Sequence, residues 1–277
     1  MICTIDGNAF TDQPFFDTTF IHRNHIQAIN GTYSIKKEAD MIRQTDDFFR
    51  YEFDTLGRLV ETFEVRFKNN HKDTIFNHYE YNTQGKITLH RKTESGGITA
   101  FHNFYDSLGR VIKTEHRREI LDSLGRLSQS LLINSETMKY QTFEYGYKKT
   151  VYNNYNLPYL EQTEKRTPEG YLIEQTQRMK MASSEYKKKF VYGEGGLPGS
   201  IAFVYNDSEI PYEEWRFRCD KFGNVIEKLV FKNGKEVNNL QIIYDTKTEL
   251  LSATIQQEAN ANYLLILRFQ EYCYYPH

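Results

Sequence analysis

The stretch FYDSLGRVIKTEHRREILDSLGRLSQS, residues 104–130, holds one five-residue word twice. Asp106-Ser107-Leu108-Gly109-Arg110 returns sixteen residues later as Asp122-Ser123-Leu124-Gly125-Arg126. Read more loosely, the word spreads along the chain. Copies begin at Asp54, Asn82, Thr167, Gly193 and Asp220, with Gly57, Gly85, Gly170, Gly196 and Gly223 in fourth place. The period is about 25 residues, in the range that marks a repeat architecture. One interval is nearly double, and Tyr147-Lys148-Lys149-Thr150 falls where a degenerate copy belongs. Asp245-Thr246-Lys247-Thr248-Glu249 reads as a last copy, with Thr248 in place of glycine.

Turn chemistry explains the word. A three-residue hairpin loop uses a type I turn followed by a left-handed residue. Asp or Asn in first place accepts backbone N–H bonds within the turn. Pro168, in second place of its copy, has the φ that a type I turn needs. Glycine supplies the positive φ. Each copy therefore reverses the chain between two antiparallel strands.

The flanks alternate with period two, as half-buried strands do. Simple pairing around Gly57 places Phe49, Tyr51, Phe53, Leu59, Phe63, Val65 and Phe67 on one face. Around Gly223 it collects Trp215, Phe217, Cys219, Val225, Leu229 and Phe231. Lys232-Asn233-Gly234-Lys235 adds a two-residue hairpin turn. The expected fold is all-β: a long antiparallel meander of repeated hairpins, forming one curled open sheet over residues 46–277. Residues 1–45 read as an N-terminal cap within the same domain, with a short helix from Thr18 capped by Asp17 and then a strand. The run Leu264-Leu265-Ile266-Leu267 is apolar on both alternating faces, so the final strand should be covered. Cover from within the chain is preferred, giving a monomer; a homodimer through this C-terminal strand is the rival.

Composition narrows function. Lys+Arg 35 against Asp+Glu 37 leaves no basic excess for nucleic acid. Aromatic residues at 15% argue against disorder. Cys3, Cys219 and Cys273 have no paired spacing for a disulfide framework or a zinc site. The opening MICTIDGNAFTDQPFF has neither a basic n-region nor an apolar h-region, so no signal peptide is expected there, and no apolar run reaches the length of a spanning helix.

The words Tyr105-Asp106-Ser-Leu-Gly109-Arg110, Phe53-Asp54-Thr-Leu-Gly57-Arg58 and Leu121-Asp122-Ser-Leu-Gly125-Arg126 resemble the turn motif of YD-repeat (Rhs-type) proteins. The resemblance covers roughly residues 45–250. It implies a spiralling β-sheet, exported or at the cell envelope, that binds carbohydrate or protein. Large members of that family enclose a separate effector domain, and none is expected in this sequence.

Three site readings follow from the residues. Simple hairpin pairing sets His78, His90 and His102 in one row, where neighbouring imidazoles could share a metal ion; a solvated polar row is the competing reading. His22 and His25 share a helix face without the glutamate of a zinc motif. Tyr152, Tyr155 and Tyr159, and Tyr272, Tyr274 and Tyr275, form two clusters that could stack on sugar rings or anchor a partner, against a packing role. No nucleophile elbow, phosphate loop or dinucleotide fingerprint is present, and carboxylates such as Glu52 and Glu64 are unremarkable on a polar face. The reading is a non-enzymatic binding protein for glycan or protein, with no cofactor. The alternatives are a structural scaffold array or a glycan-active enzyme.

Overall fold

The computed structural model describes residues 16–68, 71–94, 97–124, 126–182, 184–206 and 208–276. Cys3 and Gly125 lie outside them. One short helix, α1 (Thr18–Arg23), precedes eighteen strands. These are β1 (Ile26–Lys37), β2 (Arg43–Phe53), β3 (Leu59–Lys68), β4 (His71–Tyr81), β5 (Ile87–Glu94) and β6 (Gly97–Tyr105). There follow β7 (Val111–Leu121), β8 (Leu127–Phe143), β9 (Gly146–Tyr152), β10 (Pro158–Arg166), β11 (Leu172–Met179) and β12 (Glu185–Tyr192). The last six are β13 (Pro198–Tyr205), β14 (Glu213–Cys219), β15 (Val225–Lys232), β16 (Lys235–Tyr244), β17 (Leu251–Glu258) and β18 (Tyr263–Tyr274).

Every strand pairs antiparallel with its neighbours in the chain, and β18 pairs with β1 from Lys37↔Tyr263 to Ile26↔Tyr274. The sheet is therefore a closed barrel, which corrects the expected open one. Closure satisfies both outer edges, which an open meander would leave with unpaired N–H and C=O groups. An even strand number lets every pair around the ring be antiparallel.

The turns behave as read, with two amendments. Gly57, Gly85, Gly109, Gly170, Gly196 and Gly223 all have positive φ. In the first copy Asp54 N–H donates to Arg58 O and Gly57 N–H to Asp54 O, both at 2.9 Å. Tyr147–Thr150, expected as the missing copy, lies inside β9. The copy is Asn153–Leu157, with the same two backbone bonds and Asn156 at φ 57°. Asn tolerates the left-handed region, so the word persists without glycine. In the last copy the turn is one residue longer, and Glu249 rather than Thr248 takes φ 59°.

The alternation across each turn is the other correction. Phe53 faces Leu59, but Glu52 faces Glu61, so Val60 is an extra residue. The same bulge follows the turns into β5, β7, β8, β11, β13, β15 and β17. One inserted residue reverses every side chain beyond it. Phe63, Val65 and Phe67 thus leave the face of Phe49, Tyr51 and Phe53, where Thr62 and Glu64 replace them. Likewise Trp215 faces Val230 and Phe217 faces Lys228, so Leu229 and Phe231 lie on the other face.

A closed sheet has one concave face, where side chains converge. On β12, Phe190 is 8% exposed and its neighbour Val191 57%. On β14, Trp215 and Phe217 are less exposed than Arg216 and Arg218. The crowded face, shared with Tyr33, Phe49 and Phe53, therefore lines the lumen. Helix α1, N-capped by Asp17 through a 2.9 Å bond to Phe20 N–H, seats Ile21 on that face. Ile21 joins Ile29, Phe49, Phe53, Leu251 and Phe269, with Leu265 and Leu267 packed against them. The last strand is paired along its edge by β1, and its Leu265, Leu267 and Phe269 belong to this cluster.

Candidate functional site

The three histidines do not converge. The bulge before Leu89 pairs His90 with Tyr79, and His78 with Arg91. His90 points into the lumen, and His78 and His102 point outward. His90 stacks on Tyr79 at 4.7 Å between ring centroids, and Phe101 stacks on His116 at 4.9 Å. Burial, helped by Lys92, pushes the His90 pKa down, and its Nε2 lies 3.0 Å from Asn77 Oδ1. His78 instead meets Glu61, and His102 meets Glu119. No cluster of three metal-ligating side chains occurs among the described residues. His22 bonds to Thr55 O through Nδ1 at 2.7 Å, which ties α1 to the first tight turn.

The tyrosine clusters also separate. Tyr272 and Tyr275 belong to a ladder around one rim. Tyr81 donates to Leu59 O, Tyr105 to Ile87 O, Tyr192 to Leu172 O, Tyr244 to Val225 O and Tyr272 to Leu251 O. Each acceptor is the first residue after the tight turn of the preceding hairpin. Tyr140 makes the equivalent bond to Val111 O, and Tyr275 reaches Phe53 O at 2.6 Å. The Asp and Arg of the word complete the joint. Asp54 accepts N–H bonds from Leu56 and Arg58 and binds the Arg58 guanidinium, which lies 4.7 Å over the Tyr81 ring. Arg110 repeats this between Asp106 and Tyr140. In these copies the turn is thus stitched to the next hairpin as well as reversing the chain. Tyr159 bonds to Glu136, Tyr152 lies under Lys139, and Tyr155 stands 77% exposed at its turn tip. Tyr274 is half exposed. They form no continuous aromatic strip.

A luminal cleft of about 570 Å³ opens over β14–β17. Registers Trp215↔Val230↔Asn238↔Glu258 and Lys228↔Leu240↔Gln256 set these side chains on one face, with Glu213↔Lys232 beside them. Lys228, almost buried, holds its ammonium 3.6 Å over the Trp215 ring. Trp215 Nε1 donates to Glu213 Oε1 at 2.7 Å. Two carboxylates and two ammonium groups balance one another over an apolar floor of Val230, Val237 and Leu240. Simple hairpin pairing missed this site because the bulge swaps Leu229 for Lys228 and Val230.

The outer face carries ion pairs beside exposed apolar side chains such as Phe48, Phe67, Phe104 and Val191. Arg91 binds Glu119 at 2.6 Å, Glu115 lies between Lys113 and Arg117, and Glu161 lies between Lys148 and Lys180. Arg216–Glu214 and Arg218–Glu227 continue the pattern. No helix is long and apolar enough to cross a membrane.

No family model matches the chain, and no curated protein does. The resemblance to YD-repeat proteins thus gains nothing beyond the turn word, and the closed barrel replaces the curled open sheet expected from the hairpin repeats. Among solved structures, a porin-like protein from Bacteroides uniformis aligns at 11% identity over 88% of this chain and 97% of its own, with a TM-score of 0.43. A porin-like protein from Bacteroides vulgatus aligns at 9% identity over 89% and 98%, with a TM-score of 0.31. The TcdB2–TccC3 complex aligns at 12% identity over 83% of this chain but 15% of its own, with a TM-score of 0.32.

Proposed function

We propose that this chain is a non-enzymatic binding barrel that works in water and takes an uncharged, hydroxyl-rich ligand of the carbohydrate class in its luminal cleft. The balanced lining of that cleft carries the reading. Compensated charges give no net attraction for an ion. Carboxylates, ammonium groups and the amides of Asn238 and Gln256 offer acceptors and donors side by side. The floor of Val230 and Leu240 suits the apolar face of a sugar ring. The nearly buried Glu119 and Glu115 are each held by cations, as structural carboxylates are, which supports a binding role over catalysis. The ion pairs on the outer face support an aqueous setting, since charged side chains on a lipid-facing barrel surface are costly.

Trp215 is the one tryptophan of the chain, so its emission reports directly on the cleft. Neutral oligosaccharides should change that emission saturably, and Gln256→Leu should weaken the response about tenfold, the loss of one or two hydrogen bonds. No emission change across a neutral oligosaccharide panel would refute the ligand class. Insertion into phosphatidylcholine vesicles without detergent would refute the aqueous setting.

A further inference from the structure

We infer that the free edge of β8 pairs antiparallel with the same edge of a second copy of this chain. β8 pairs with β7 over Leu127–Thr137 but with β9 only from Thr137 onward. Residues 127–136 are therefore bonded on one side alone. Among the described strands no other one-sided run is as long; the next are 138–143 of the same strand, where Tyr140 bridges to Val111, and 269–274, where Tyr272 bridges to Leu251. β8 runs past β9 and offers a row of backbone donors and acceptors.

An edge of this kind is normally blunted by lysine, proline or a bulge. The run Leu127–Ser135, LSQSLLINS, has no charged residue and no proline. Bulges at Ser128 and Ile133 bracket it and leave Gln129–Leu132 as the flat part. Leu127, Leu131, Leu132 and Ile133 are each about half exposed. Such a segment attracts an extended apolar strand and offers nothing to select a charged one. Its own copy fits on two counts. Self-pairing brings no like charges together within the run. The flanking charges are Arg126, which also binds Asp122, at the start and Glu136, which accepts from Tyr159, at the end, and an antiparallel two-fold arrangement sets these opposite signs near each other at both ends. The C-terminal edge is not the interface, because β1 occupies it. This inference is independent of the luminal ligand.

Sedimentation of the full chain over a concentration series tests it. A reversible monomer–dimer equilibrium is expected, with amide exchange over residues 127–136 slowing as concentration rises. Leu132→Lys should weaken dimerisation at least about tenfold with an unchanged far-ultraviolet circular dichroism spectrum. Val191→Lys, on the exposed face of a strand paired on both sides, should leave the equilibrium alone. A monomer at every concentration up to about 100 µM, or a dimer without added protection at 127–136, overturns the proposal. A dimer that survives in folded Leu132→Lys does so too.

Discussion

A single glycine does different work in different copies of the same word. A Cβ on Gly109 would meet only ordinary contacts, Gln84 Oε1 at 3.5 Å being the nearest. Gly109→Ala should therefore lose only the left-handed backbone penalty, about 1–2 kcal/mol. A Cβ on Gly57 would come within 2.1 Å of Thr18 O and 2.7 Å of His22 N. Gly57→Ala should cost clearly more and also loosen α1. Urea denaturation of both variants, with exchange measured at residues 18–23, separates the two effects; equal losses would contradict the docking of α1 on that turn. Tyrosine 81 gives a second test. Burial above all pushes its hydroxyl up to about 12, while the unfolded value is 10.0. The folded state thus holds a proton that the unfolded state releases, so this contribution is complete below pH 10 and fades as pH rises towards 12. Tyr81→Phe should lower stability by about 0.5–1.5 kcal/mol near neutral pH, and the deficit should shrink above pH 10. A deficit that grows with pH would have the wrong sign.

At the scale of the element, the unit is the hairpin with its turn and bulge. The turn was legible because Asp, Asn and Gly have few other reasons to recur at that spacing. The bulge was not, since residues as different as Val60, Thr88 and Gly199 fill the extra position, which requires no particular side chain. That hidden insertion explains why the histidine row fails and why the cleft gains Lys228. A direct check removes one bulge. Deleting Val60 should straighten the β2–β3 hairpin without changing which residues face the lumen, because Glu61 already pairs with Glu52 and Glu64 with Phe49. The bond between Tyr33 and Glu64 should persist. Loss of about 1–3 kcal/mol is expected, read as a lower denaturation midpoint; no change would mean that the bulge contributes nothing to closing the barrel.

For the whole molecule, closure is the decisive contact. Ile26 and Tyr274 meet from opposite ends of the chain. At this seam Gly31 lies so close to Phe49 and Arg268 O that an added Cβ would sit 2.1 Å and 2.3 Å from them. Gly31→Ala should wedge the seam and cost about 1–3 kcal/mol, the usual scale of overpacking. Exchange should then accelerate first in β1 and β18, while the β11–β14 region keeps its protection. Uniform acceleration would argue that the barrel opens as one unit. Folding should also be slow, because a contact of such long sequence separation is made against a large loop entropy.

The sequence by itself determined the strand-turn-strand rhythm, the positions of most tight turns and the all-β class. Those follow from local chemistry: positive φ, Asx hydrogen bonds and period-two alternation act within a few residues. The tertiary structure alone decided that the sheet closes, which face is the lumen, and that tyrosines of one hairpin bond to the carbonyls of another. Each of these joins residues that are distant in sequence. Whether eighteen strands curl until β18 reaches β1 depends on twist and bulges accumulated over the whole sheet, and no single segment encodes that sum.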